Sequence, residues 1–108
     1  LARDQGVKLY KQILRRYVPG AKVKEVAHLY GMAVAFTMVD ALRKAGAQPT
    51  RASLLRAATH LNERANPFFV KGIAVKTGPN DYYPVDRSRM LRFQAGRWRQ
   101  FGGLVSVR

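Results

Sequence analysis

Cysteine is absent from the 108 residues, and acidic side chains are scarce: six Asp and Glu stand against twenty Lys and Arg. Without cysteine there is no disulfide framework, no thiol nucleophile and no cysteine-based zinc site. Such a chain is compatible with either side of a membrane. The few carboxylates are spread too thinly along the chain to nominate a paired acid–base site. Histidine is confined to His28 and His60, neither of which reads as having a carboxylate or a second histidine at ligand spacing, so no metal is expected. Ser53, Ser88 and Ser106 lack the Gly-x-Ser-x-Gly surroundings of a nucleophile elbow, and Gly78, Gly102 and Gly103 do not space a phosphate loop. The sequence therefore predicts no catalytic residue, no cofactor and no enzyme. The longest apolar stretch, Gly31 to Val39, falls far short of the roughly 20 residues of a membrane span. Residues 1–18 carry Arg, Lys and Asp throughout, unlike a signal peptide, and a start at Leu1 fits an excised segment.

What is abundant is positive charge: the formal net charge is +14 and the pI is near 11.2. Such an excess raises nucleic acid or an acidic membrane surface as a partner. Its distribution favours a solvated basic surface instead, because the longest unbroken basic run is Arg15-Arg16 and no tail-like block of like charge occurs. A small basic nucleic-acid-binding module stays open as the alternative reading. With 47% apolar residues the chain has the composition of a folding domain.

The first half reads helical and the second half β. Leu9, Tyr10, Ile13, Leu14 and Tyr17 fall at helical spacing within Ala2–Tyr17, and Pro19-Gly20 ends that helix. A second helix is predicted from about Lys24 to Ala45, capped by Gly46. Its middle, Leu29 to Val39, is apolar nearly all round, which predicts a helix buried on most sides inside something larger than this chain. A lone segment is expected to bury that surface by self-association, as a homodimer. Thr50 N-caps a third helix with Leu54, Leu55, Ala58 and Leu61 as its stripe, fading around Glu63 to Pro67. Phe68 to Val75 reads as a strand with Gly72 at a bulge, and residues 77–81 as a turn. The strongest β signal is a hairpin, Met90–Gln94 and Arg97–Phe101 around Ala95-Gly96. Alternation predicts its aromatics inward, with Trp98 beside Leu91 or Phe93, and its arginines outward. The expected class is α+β: helices over 1–64, strands over 68–103, with no βαβ alternation of its own.

The order of these features resembles the carboxy-terminal part of the branched-chain amino-acid type of ABC-importer substrate-binding proteins, those like the leucine-binding protein. The resemblance rests on the helix Lys8–Tyr17 with its Tyr17-Val18-Pro19-Gly20 turn and on Tyr30-Gly31-Met32-Ala33 opening a long helix that closes at Ala41-Leu42-Arg43-Lys44-Ala45-Gly46. It continues through Leu54-Leu55-Arg56-Ala57-Ala58, Gly72-Ile73-Ala74-Val75, Asp81-Tyr82-Tyr83-Pro84, Met90-Leu91-Arg92-Phe93 and Gly96-Arg97-Trp98. It implies a periplasmic or lipid-anchored receptor of two α/β lobes, of which this would be one segment of a type I periplasmic-binding fold. The lobes would close on an amino acid or related small carboxylate or amide and dock on a membrane permease, with no nucleic acid involved. The family's main ligand contacts lie upstream, so His28 and Tyr30, at the start of the second helix, are the ligand-binding candidates here. Two departures stand out: Gly72-Ile73-Ala74-Val75-Lys76-Thr77 replaces the family's common Gly-x-x-Gly-x-hydrophobic-x-Phe-Asp pattern, and the basic excess is unusual.

Overall fold

A computed structural model describes residues 4–108. Three helices, α1 (Gln5–Tyr17), α2 (Val26–Ala45) and α3 (Arg51–Ala58), precede four strands, β1 (Asn62–Glu63), β2 (Val75–Lys76), β3 (Arg87–Gln94) and β4 (Arg97–Ser106). The strands form two separate antiparallel pairs, β1 with β2 and β3 with β4, so the class is α+β as the sequence predicted.

Local chemistry sets several of the helix ends. Asp4 N-caps α1 by accepting from the Val7 amide at 3.1 Å, and Arg15 and Arg16 sit in its last turn, where the helix dipole favours cations. The expected start of α1 near Ala2 lies outside the described residues. Gly46, at φ 101°, ends α2 in a conformation that L side chains rarely adopt. Thr50 caps α3 and Ser53 reciprocates to the Thr50 amide at 2.8 Å.

Helix α3 stops at Ala58, earlier than its apolar stripe suggests. Thr59 Oγ1 donates back to the Leu55 carbonyl at 2.9 Å, and the Ala58 carbonyl is taken by Thr77 Oγ1 at 2.6 Å instead of by the next helical amide. Leu61, counted on the helix stripe, then lies beyond it and is buried. The strand expected over Phe68–Val75 is also mostly turn. Asn66 Oδ1 accepts from the Phe68 amide, the Ile73 amide bonds to the Val70 carbonyl, and Gly72 has φ 92°. Only Val75 and Lys76 pair as strand, against Glu63 and Asn62.

The core is small and centred on Ala41, Leu61 and Val75, with Leu54, Phe69 and Val85 packed around them. Helix α1 is fastened separately: Tyr10 and Leu14 are buried, the Tyr10 hydroxyl donates to the Val23 carbonyl at 2.9 Å, and Gly6 lies so close to Pro67 that an added Cβ would meet its carbonyl oxygen at 1.8 Å. Over the described residues the radius of gyration is 16.0 Å, against about 13 Å for a compact domain of this length. The difference reflects a hairpin that projects from the helical body and an α2 covered on one side only.

That hairpin is longer than the alternating segment alone predicted. Ala95 and Gly96, at φ 49° and 72°, form its tight turn, the backbone that matches the right-handed twist of the flanking strands. The register shifts between Arg89 and Leu91, where β4 passes through Gly102 at φ 65°. Its base is tied down by Leu104 against Gly72, by the Val107 amide on the Asp86 carbonyl and by Arg108 on Asp81.

Candidate functional site

An open apolar groove of about 870 Å³ lies between α2, α3 and the segments around Phe69, Val75 and Val85. Helix α2 supplies Tyr30, Val34 and Met38, which recur every fourth residue and therefore stack along one face. Helix α3 supplies Arg51, Leu54 and Leu55 from the opposite bank, while Ala41, Leu61 and Val75 form the floor. Tyr30 is 69% exposed, Leu55 65% and Met38 50%. Only Ala33 and Ala41 of α2 are buried, so the helix that reads as an interior one keeps most of its apolar surface open.

Beneath α2 lies a polar cluster that sequence reading missed. Glu63 and Asn66 are buried, and Thr37 joins them: Thr37 Oγ1 donates to Glu63 Oε1 at 2.9 Å, as does Asn66 Nδ2, which also reaches the Ala33 carbonyl at 3.1 Å. The cluster locks α2 to the turn after β1. Glu63 Oε2 is buried without a partner, so the carboxylate is satisfied on one side only. The available signal was a helical Thr amid apolar neighbours, which needs a buried acceptor, but nothing in the sequence says that Glu63 supplies it.

Of the two ligand-binding candidates, Tyr30 stands on the bank of the groove, whereas His28 is not among its lining residues. His28 is half-buried, with Nε2 3.2 Å from Glu25 Oε2 across one helical turn. That partner corrects the reading of His28 as lacking a carboxylate at ligand spacing: Glu25 precedes it by three residues, a spacing that brings side chains together on a helix. His60 caps its own helix, Nδ1 lying 2.8 Å from the Arg56 carbonyl oxygen. Among the described residues no group of three or more His, Cys, Asp or Glu is placed to hold a metal ion. The groove's polar fittings are Tyr30 and Arg51, since the Thr37 hydroxyl is engaged by Glu63 and Asn66; the arrangement suits an apolar body with a polar end.

Near its turn the hairpin sorts its side chains as alternation predicts, except that Phe101 falls on the arginine face, its ring under the Arg92 guanidinium. Arg92 stands opposite Arg99 and Gln94 opposite Arg97 on one face; Leu91 opposes Gln100 and Phe93 opposes Trp98 on the other. The Phe93 and Trp98 rings lie 5.3 Å apart, as expected of cross-strand aromatics. The aromatic face is not inward, however: Trp98 is 67% exposed and Phe93 60%. A two-stranded hairpin can segregate its faces by itself, but burying one takes a second layer, and none of the described residues provides it.

At the hairpin base, Arg108 Nη2 donates to Asp81 Oδ2 at 2.7 Å, and the Tyr83 amide donates to the same carboxylate. The Arg108 hydrogen bond, then the Tyr83 amide, hold the Asp81 carboxyl below its ordinary value, and Arg108 is raised in turn. No helix among the described residues is long and apolar enough to cross a membrane. Comparison with protein-family models, with curated proteins and with solved structures finds no match to this chain.

Proposed function

We propose that this chain is a segment of the substrate-binding component of an ABC importer, a periplasmic or lipid-anchored receptor that closes over an amino acid or a related small carboxylate or amide. The observation that carries the reading is the state of α2. Its apolar stripe and the groove beside it remain open although the helix is long and packed on its other side. Helices of a doubly wound lobe are covered by sheet and neighbouring helices, and a segment of such a lobe leaves the faces it shares uncovered. The resemblance in the order of motifs supplies the family.

On this reading Tyr30 belongs to one wall of the cleft and His28 helps shape the start of α2. The remaining walls come from the rest of the parent, since small-molecule sites enclose most of their ligand. Transport follows by cleft closure and docking on a membrane permease. Calorimetric titration with a panel of amino acids and small carboxylates is the test. The parent protein should bind one of them and the 108-residue chain none. Tight binding by the chain alone would place the pocket here rather than upstream; a parent that binds no small solute would end the transport reading. In isolation the open α2 face is expected to pair with a second copy, which sedimentation at micromolar concentration would detect.

The second reading, a small nucleic-acid-binding module, is favoured by exposed Trp98 and Phe93 on a hairpin that also carries exposed arginines. Titration with oligonucleotides at two salt concentrations separates the two, because binding to phosphates carries a steep salt slope.

A further inference from the structure

We propose that the tip of the β3–β4 hairpin is a docking element for anionic membrane surfaces, its guanidinium face meeting lipid phosphates while its aromatic face enters the interface. The proposal is independent of the transport reading and rests on the hairpin alone.

The sequence provides no carboxylate from Arg87 to Arg108. Pairing places Arg92 directly opposite Arg99, with Arg97 following on the same face. Like charges directly opposite destabilise a strand pair, and here no internal anion relieves them. The ion pairs among the described residues join His28 to Glu25, Lys44 to Asp40 and Arg108 to Asp81, all away from the tip. The Arg92 guanidinium lies over the Phe101 ring at 4.7 Å, which holds it on that face without neutralising it. Three guanidiniums thus share one exposed surface and have only external anions to meet.

The other face carries Leu91, Phe93 and Trp98, all at least half exposed. Trp joins an apolar ring to a polar N–H and is enriched where water meets lipid. A cationic face joined to an aromatic one is the pattern of interfacial amphipathic elements. The opposition of the two faces decides between anionic partners. A single nucleic-acid strand engages cations with its backbone and aromatics with its bases along one groove; here bases stacked on Trp98 would carry their backbone away from Arg92 and Arg99. A membrane interface surrounds an inserted tip, so aromatic rings go inward while the flexible arginine stems reach back to the phosphate layer.

Trp98 is the single tryptophan, and its emission therefore reports on the tip alone. With phosphatidylcholine vesicles containing about 30% phosphatidylglycerol, the chain should bind with a blue shift of Trp98 emission that salt reverses. Vesicles of phosphatidylcholine alone should give neither. Replacing Arg92, Arg97 and Arg99 together by Gln should weaken partition about 100-fold, at about fivefold per charge. Replacing Lys8, Lys11 and Arg15 by Gln, an equal loss of charge on α1, should weaken it less than about tenfold. The corresponding triple Arg→Lys variant should bind nearly as the parent chain does, which separates loss of charge from loss of fold. The proposal is overturned by an absent Trp98 shift on the acidic vesicles, by binding without that shift, or by equal effects of the two Gln triples. Stronger perturbation of Trp98 by oligothymidylate at matched phosphate would also overturn it, in favour of nucleic acid.

Discussion

The helical body and the hairpin are built on opposite terms. In the body, side chains from distant parts of the chain meet: Ala41, Leu61 and Val75 close a small core, and Asn66 ties the turn after β1 to α2 through the Ala33 carbonyl. In the hairpin nearly all contacts run between neighbouring strands, and of β4 only Leu104 is even half-buried. The body is therefore held by burial and by a few buried hydrogen bonds, the hairpin by its ladder, its tight turn and the anchors at its base. The contrast teaches that alternation alone does not define an inside. Body and hairpin have comparable apolar content, yet only the body has a second layer to bury it against.

Large-to-small substitution should separate the two regions most clearly. Leu61→Ala empties a site on the core floor and should cost about 2–5 kcal/mol in denaturant unfolding. A cost near that of an exposed leucine would mean that the body has no cooperative core. Asn66→Ala removes one of the two donors on Glu63 Oε1 and the acceptor of the part-buried Phe68 amide, and should cost about 1–3 kcal/mol by the same measurement. Asn66→Asp should be no better, since it sets a second carboxylate beside Glu63.

In the hairpin the expected effects shrink. Burial of Trp98, as alternation suggested, would make Trp98→Ala cost about 3–5 kcal/mol. With the ring exposed and paired only with Phe93, the expected loss is about 1 kcal/mol or less. A loss in the higher range would show that a second layer covers the aromatic face in solution, and would erase the distinction between the regions. The smallest effect concerns the hairpin base. The Asp81 carboxyl is depressed in the folded chain, so the contribution of its contact with Arg108 is present above the unfolded value near 3.8 and is lost as pH falls through the lower folded value. Acid titration followed by nuclear magnetic resonance should show Asp81 protonating below ordinary aspartates and the Arg108 contact loosening in the same range. An Asp81 that titrates at or above the ordinary value would remove this anchor from the account.

Much of the local structure was legible in the residues. Thr50 and Gly46 set helix ends through a cap and a backbone conformation that depend on near neighbours only, and Ala95-Gly96 set the hairpin turn and its pairing of Phe93 with Trp98. The end of α3 was not, because the group that removes the Ala58 carbonyl from the helix is Thr77, nineteen positions away. The strand expected at Phe68 failed for a related reason. β-propensity describes fit to a pleated, packed surface, and the turns at Asn66 and Gly72 leave no neighbouring strand for those residues to join.

The candidate site divides in the same way. The spacing of Tyr30, Val34 and Met38 placed them on one face of α2, but it did not determine what stands opposite; tertiary structure brought Leu54, Leu55 and Arg51 there. His28 and Tyr30 are near in sequence, yet helical rotation sends one to Glu25 and the other to the groove. The sequence by itself determined helix type, the Thr50 and Gly46 ends, the hairpin turn and the separation of Phe93 and Trp98 from the arginines, because each depends on residues a few positions apart. Only the tertiary structure decided the Glu63–Asn66–Thr37 cluster, the opening of the groove and the exposure of Trp98. These depend on which surfaces meet in space, and a periodic pattern specifies a face without specifying its partner.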